Sequence, residues 1–411
     1  MNRLIFLLIA TLALFASCEL SNKDGQAAGL AVGTWRGVLK PQNVEVPFLF
    51  SVGLVGDAYH IQLMNAEERI PLDDITISGD SVHIPMYIFD ATIHAKIAGK
   101  TMQGLYVKNH VNGYEIPFEA QFGTARRFEQ PHTSSAGPFT GKWEVDFIKK
   151  DSTISKAIGV FEPYGSGMKG TFLTTTGDYR YLEGVVHNNE MTLSCFDGSH
   201  TFLFRAAMQE DGSLRGDFWS GRTFHQPWRA VKNDGFELPD PYALTYIKEG
   251  YEQFDLAFPN TDGRLVRLAD QQYKNKVVVV QILGTWCPNC MDETKFYVDW
   301  ISKNPNKDVE FIGLAFESKA DPDYAFGRID KMKGKLGVPY AVLLAGDTES
   351  ESREKALPML NKLMSFPTSI ILDRQHKVRK IHTGFAGPGT GAYYERFVED
   401  FDLMIEKLLE E

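Results

Sequence analysis

The alternation of apolar and polar positions divides the chain in two. From Leu30 to about residue 232 the period is two, as in Val46-Pro47-Phe48-Leu49-Phe50-Ser51-Val52 and Tyr59-His60-Ile61-Gln62-Leu63, with turns rich in Gly and Asp between the runs. Such a pattern predicts strands and few helices. It also repeats. Gly33-Thr34-Trp35-Arg36-Gly37 is answered 108 positions later by Gly141-Lys142-Trp143-Glu144-Val145, and Gly104-Leu105-Tyr106 is answered 112 positions later by Gly216-Asp217-Phe218. Self-similarity at a nearly constant spacing indicates tandem modules. We place two all-β modules at 30–129 and 138–232, joined by a loop over 130–138. Barrels, open or closed, and a sandwich fit the pattern equally.

Asn233-Asp234-Gly235 and Pro239-Asp240-Pro241 then break regular structure, and the period changes. Residues 242–250 read as a short helix, and 254–258 with 264–268 as a hairpin. Strand-like runs at 277–283, 309–315, 340–344, 368–373 and 378–382 alternate with helical patterns at 323–336, 351–363 and 392–411. That rhythm predicts a mixed sheet covered on both faces, so residues 240–411 form an α/β domain.

Candidate chemistry gathers behind the first of those strands. Four consecutive valines, then Ile282 and Leu283 after Gln281, make a run rich in β-branched residues, a strand buried on both faces. Gly284-Thr285 ends it, and Trp286-Cys287-Pro288-Asn289-Cys290 comes at once. Pro288 suits a first helical turn, where its missing N–H is no loss. Cys287 then sits at a helix N-terminus, with Cys290 one turn further in. Unpaired N–H groups and the helix dipole favour negative charge at that end, and the thiolate is the nucleophilic form of cysteine. Cys287 is placed to attack a disulfide and Cys290 to resolve the mixed disulfide. The competing reading, half of a zinc site, requires a second Cys or His pair. The other cysteines, Cys18 and Cys195, are far away in sequence, and Cys195 lies in a strand-like run that suits a buried, inert thiol.

On these residues, segment 252–411 resembles the thioredoxin-like domain of the TlpA/ResA family of extracytoplasmic thiol-disulfide oxidoreductases. The likeness rests on Trp286-Cys287-Pro288-Asn289-Cys290, the strand before it, and Phe366-Pro367-Thr368 leading into a second apolar run. It implies that Pro367 is cis and packs beside the cysteine pair, presenting the backbone of Phe366 to a substrate strand. It implies that Glu293, one turn beyond Cys290, takes the proton Cys290 sheds during resolution, with a pKa raised by burial. Its neighbour Asp292 is expected to point outward. Thioredoxin itself carries an acid six residues before its first cysteine; that position here is Gln281, which cannot serve as a base. Trp286, Pro288, Asn289 and Phe366 would contact substrate, Trp286 as a flat apolar shield and Asn289 as part of the dipeptide that tunes the redox potential. Cys-Pro-Asn-Cys adds no charge or histidine to stabilise a thiolate, which favours a reductant over a strong oxidant. The spacing Pro-x-x-x-Thr-x-x-Cys of peroxiredoxins is missing before Cys287. The implied partners are oxidised client proteins and a membrane thiol donor, with no cofactor beyond the Cys287–Cys290 pair.

Residues 1–18 are a targeting segment. Arg3 precedes an apolar stretch from Leu4 to Ala16, too short to span a bilayer comfortably. Phe15-Ala16-Ser17-Cys18 resembles a bacterial lipoprotein processing box, with Phe15 in place of the usual Leu, so Cys18 is the expected lipidated anchor to the membrane. A plain secretory signal and a retained anchor are the alternatives. The 411 residues allow two or three domains. A net charge of −10 argues against a nucleic-acid partner, and four cysteines are too few for a disulfide-stapled scaffold. Eight of the ten histidines lie in the β modules and the loop between them, with no metal-ligand spacing shared between the repeats; Trp219 and Trp228 read as core. The β modules leave a second functional class open: a ligand- or partner-binding surface lipoprotein in which the redox domain is accessory.

Overall fold

The computed structural model describes residues 29–129, 136–251, 254–319 and 321–411. The leader with Cys18, nearly all of the tether after it and most of the 130–138 connection lie outside the described residues. In chain order, the described residues build a half-barrel, a barrel and a thioredoxin-like α/β domain.

The first sheet contains β1 to β9 (Gly33–Leu39, Val46–Val55, Ala58–Asn65, Glu68–Leu72, Thr76–Ser78, Ser81–Pro85, Ala91–Ala98, Thr101–Lys108 and Glu115–Phe122). Its order is β4-β3-β2-β1-β9-β8-β7-β6-β5, so β4 and β5 are edges and the sheet stays open. The second contains β10 to β18 (Gly141–Ile148, Ile154–Tyr164, Gly167–Thr174, Gly177–Asp178, Leu182–His187, Glu190–Phe196, Thr201–Met208, Leu214–Ser220 and Phe224–Lys232). Here β12 pairs with both β11 and β14, which closes the sheet on itself.

The repeated motifs do the same work in both. Trp35 and Trp143 are fully buried, and each indole Nε1 donates to the carbonyl four residues earlier, Ala31 and Phe139, at 2.8 Å. Gly104 and Gly216 occur where a Cβ would run into the neighbouring strand, at the carbonyls of His94 and Arg205. The barrel interior is filled: Phe172 stacks on Phe204 at 4.4 Å, Phe204 on Phe218 at 4.2 Å, and Trp228 meets Phe172 edge-on at 5.1 Å. Side chains fill small barrels in this way where the interior is not given to a small ligand.

Both faces of β15 are buried, and the period of two explains how. Leu193 and Cys195 point into the barrel, whereas Ser194 and Phe196 face the first sheet. Phe196 packs at 4.6 Å against Phe48, the rings tilted by 48°, and joins the half-barrel's core. Ser194 donates to Pro47 O at 2.6 Å. The half-barrel thus covers its apolar face with the outside of the barrel.

Beyond 232, residues 242–250 form turns instead of the expected helix; Ile247 bridges to Leu360, so the segment is held in extended pairing. β19 (Ala257–Pro259) and β20 (Leu265–Arg267) form the expected hairpin, shorter than anticipated. The main sheet contains β21 (Val277–Leu283), β22 (Val309–Glu317), β23 (Ala341–Asp347), β24 (Thr368–Leu372) and β25 (Val378–Thr383), in the order β23-β22-β21-β24-β25. β21 lies at its centre, parallel to β22 and antiparallel to β24, and is buried along its whole length. Helices α1 (Pro288–Lys303), α2 (Pro322–Leu336), α3 (Ser350–Ala356) and α4 (Ala392–Glu410) surround it. α3 stops well short of the expected Leu363, because Pro358 restrains the residue before it from helical geometry and Leu357 leaves the helix.

Candidate active site

The centre of the sheet delivers the cysteine pair. β21 ends at Leu283, and Thr285 is tied down by buried Glu317, which accepts from its backbone N–H at 2.9 Å and its hydroxyl at 2.7 Å. Cys287 is then the N-cap of α1, and its Sγ accepts from the backbone N–H of Cys290 at 3.2 Å, filling one vacancy of the first turn. Pro288 occupies the first helical position. Neither cysteine is bonded to the other; both are thiols. Burial, then the contact with Cys287, pushes the Cys290 thiol well above its ordinary pKa.

The second strand at the centre, β24, contributes the other wall. The Phe366–Pro367 peptide is cis, and Cys287 Sγ lies 3.4 Å from Phe366 O. Trp286 stands beside it: its ring meets Phe366 edge-on at 5.3 Å, and its Nε1 donates to Phe316 O at 2.9 Å.

Behind Cys290 a closed hydrogen-bond network holds Glu293, which is fully buried. Gln281 Nε2 donates to Glu293 Oε2 at 2.9 Å and reaches the carbonyl of Cys290 at 3.3 Å. Ser369 Oγ donates to Glu293 Oε1 at 2.9 Å and accepts from Tyr297 OH at 2.8 Å. Burial raises the carboxyl from 4.5 to about 7, against the lowering effect of the Gln281 and Ser369 bonds. A carboxyl with that pKa can both accept and return a proton near neutrality. Gln281 cannot be the base, but it orients the residue that can.

The structure therefore brings Trp286, Cys287, Pro288, Asn289, Cys290, Glu293, Phe366 and Pro367 together. It departs from expectation at Asp292. Instead of facing solvent, Asp292 is largely buried and ion-paired to Arg180 of the barrel. Arg180 also pairs with Glu68 of the first sheet, and its Nε lies 3.2 Å from Asp197 Oδ2, outside hydrogen-bond geometry. Burial raises Glu68, with Arg180 opposing. Burial also raises Asp178 to about 6, despite the N–H donated by Gly387. Asp197 is desolvated too, yet His200 and Arg180 hold it below the usual carboxylate range. Pro288 and Asn289 are buried, and Asn289 Nδ2 donates to Asp178 O at 3.1 Å.

Sequence reasoning missed Arg180, Asp178, Asp197 and Glu68. No local signal marks them, because 112 residues separate Arg180 from both Asp292 and Glu68. Tyr297 and Thr294 were findable: they continue the buried face of α1 begun by Cys290 and Glu293. Among the described residues, no group of three or more His, Cys, Asp or Glu could hold a metal ion.

Comparison with known proteins agrees in extent with the α/β region. The family model described as Redoxin matches residues 248–395. Three solved structures illustrate the likeness. One is a thiol:disulfide interchange protein of the thioredoxin family from Chlorobium tepidum (18% identity, 40% of this chain and 99% of that one, TM-score 0.30). Another is a secreted thiol-disulfide isomerase from Corynebacterium glutamicum (16%, 43% and 97%, 0.31). The third is a thiol-disulfide oxidoreductase from Bacteroides fragilis (13%, 36% and 99%, 0.27). No curated protein matches the chain. Behind its two β modules, the chain carries a Redoxin domain of thioredoxin-like fold.

Proposed function

We propose that the protein is an extracytoplasmic thiol-disulfide oxidoreductase, and that it runs as a disulfide reductase on client proteins. The observation that carries this reading is the placement of Cys287 at the α1 N-terminus, 3.4 Å from Phe366 O, with Cys290 beneath it and Glu293 behind. The Cys287 thiolate attacks one sulfur of a client disulfide. A mixed disulfide forms, and the client's other sulfur leaves as a thiolate. Cys290 then gives its proton to Glu293 and attacks Cys287 Sγ. The second client thiolate departs and the Cys287–Cys290 disulfide closes, so two electrons have moved from the pair to the client. A membrane thiol donor restores the dithiol, and no cofactor is needed.

Direction is read from the dipeptide: Pro288-Asn289 offers no charge to over-stabilise a thiolate. The midpoint potential of the pair tests this directly. A value near that of thioredoxin, about −270 mV, supports a reductase, whereas one near −120 mV makes the protein an oxidant. Lipidation at Cys18 would hold the chain to an extracytoplasmic membrane face; no described helix is long and apolar enough to cross a membrane.

A binding role for the β modules, with the redox domain accessory, is the second reading. The intimate contact between barrel and redox motif favours it to one extent: whatever the barrel binds would be sensed at Cys287. Clients that bind equally well to a chain lacking both cysteines would support it.

A further inference from the structure

The barrel covers the redox motif from two sides. On the Asn289 side lies the turn between β12 and the start of β14. There Asp178 O receives the Asn289 amide. Gly177 approaches so closely that a Cβ would come within 2.8 Å of Asn289 Nδ2, and its φ of +137° is glycine geometry in any case. Ser365, immediately before Phe366, donates to Thr176 O. Gly387 N–H donates to Asp178 Oδ2. A Cβ on Gly384 would come within 2.9 Å of the Thr176 carbonyl carbon. On the opposite side Ser199 Oγ reaches Trp286 O at 3.4 Å. Beneath these contacts Cys287 is 6% exposed and Cys290 is wholly buried.

Disulfide exchange needs a client sulfur to reach Cys287 Sγ, with client backbone alongside Phe366 and Pro367. The turn lies against both Asn289 and Ser365, beside the path such a backbone would take. The contacts across the interface are nevertheless replaceable. Apolar side chains of all three parts share one core elsewhere, but the contacts that hold the turn itself are hydrogen bonds and ion pairs, the kind that lets neighbouring domains move apart. Their centre is Arg180, which sits in left-handed backbone (φ 60°) and joins all three parts of the chain: Glu68 on β4, Asp197 in its own barrel and Asp292 on α1.

We infer that the barrel turn at 174–180 is an intrachain occupant of the client groove, latched by Arg180, and that a client gains Cys287 by displacing it. What the groove is for rests on the disulfide-exchange reading above; that it is closed does not.

The test uses the full chain, reduced, and measures the rate at which Cys287 reacts with N-ethylmaleimide and with a maleimide bearing a long polyethylene glycol chain, located by mass spectrometry. The ratio of bulky to small rates cancels changes in thiolate population. It should be low in the native protein relative to the same chain in urea. Arg180→Gln should raise it at least about tenfold, by populating the open state. Ser365→Ala, which loosens the turn without touching the charges, should raise it less, and decides the matter alone should Arg180→Gln fail to fold. Ratios equal to the urea value in the native protein, or unchanged in the folded variants, overturn the latch. Reduction of insulin separates the two readings. If the ratios respond but neither native protein nor variant reduces insulin, the oxidoreductase reading fails and the latch stands. If native protein reduces insulin and the ratios do not respond, the latch fails and the oxidoreductase stands.

Discussion

The side-chain amide of Asn289, inside the Cys287–Cys290 motif, donates at 3.1 Å to the backbone carbonyl of Asp178, 111 residues earlier in a different domain. The redox centre is thereby part of an interface. Its reactivity depends on what the barrel does as well as on the local chemistry of α1.

The division of labour between the cysteines gives the first prediction. Cys290→Ser should accumulate mixed disulfides with clients, visible as adducts on non-reducing gels that dithiothreitol removes. Cys287→Ser should form none and lose disulfide reduction. Adducts on Cys287→Ser in place of Cys290→Ser would reverse the assigned roles.

Glu293 predicts a pH dependence of both stability and rate. The folded chain holds its proton up to about pH 7, whereas an unperturbed carboxyl sheds it near 4.5. Folding therefore loses stability as pH climbs from about 4.5 to 7, by about 3 kcal/mol in all, and gains nothing further below that window. Glu293→Gln should flatten this part of the stability profile in denaturant titrations. In the native protein, resolution of the mixed disulfide should speed up as pH rises through about 7. The variant should lack that inflection and resolve about a hundredfold more slowly.

Arg180 is surrounded by Glu68, Asp178, Asp197 and Asp292, and removing one partner from a buried ionic cluster costs about 3–5 kcal/mol. Arg180→Gln should lower the unfolding midpoint by a corresponding amount at pH 7. Asp178, raised by burial to about 6, and Glu68, raised likewise, burden the fold more as pH rises through their range. The deficit should accordingly shrink at pH 5. An equal loss at both values would remove these carboxylates from the account.

The barrel core separates a filled scaffold from a lipid- or ligand-carrying cup. Phe172 is fully buried and stacks on Phe204. Phe172→Ala should cost about 3–5 kcal/mol, and the native barrel should not take up an environment-sensitive apolar dye in its interior. Dye uptake by native protein that a Phe172→Trp replacement abolishes would favour the binding reading.

Anchoring is tested at Cys18. In a bacterial host, labelled palmitate should be incorporated into the native chain and not into Cys18→Ala, which should leave the membrane fraction. Incorporation that survives the substitution would end the lipoprotein assignment.

Much of this was legible in the sequence, for reasons that are local. Four valines before Trp286-Cys287-Pro288-Asn289-Cys290 specify a buried strand running into a helix N-terminus, because strand period, β-branching and the position of Pro288 act within a few residues. The recurrence of Gly-x-Trp specifies two β modules in the same way. The helix expected over 242–250 does not form, because the extended pairing of Ile247 with Leu360 is a long-range contact that overrides local preference. What only the tertiary structure decided is which charges meet. Arg180 finds Asp292 and Glu68, and Asn289 finds Asp178, because packing carries one barrel turn onto α1; nothing in the residues near either partner encodes that juxtaposition. Whether the first sheet closes was likewise settled at a distance. β4 and β5 stay apart while the outer face of β15 covers the apolar surface that closure would otherwise have buried.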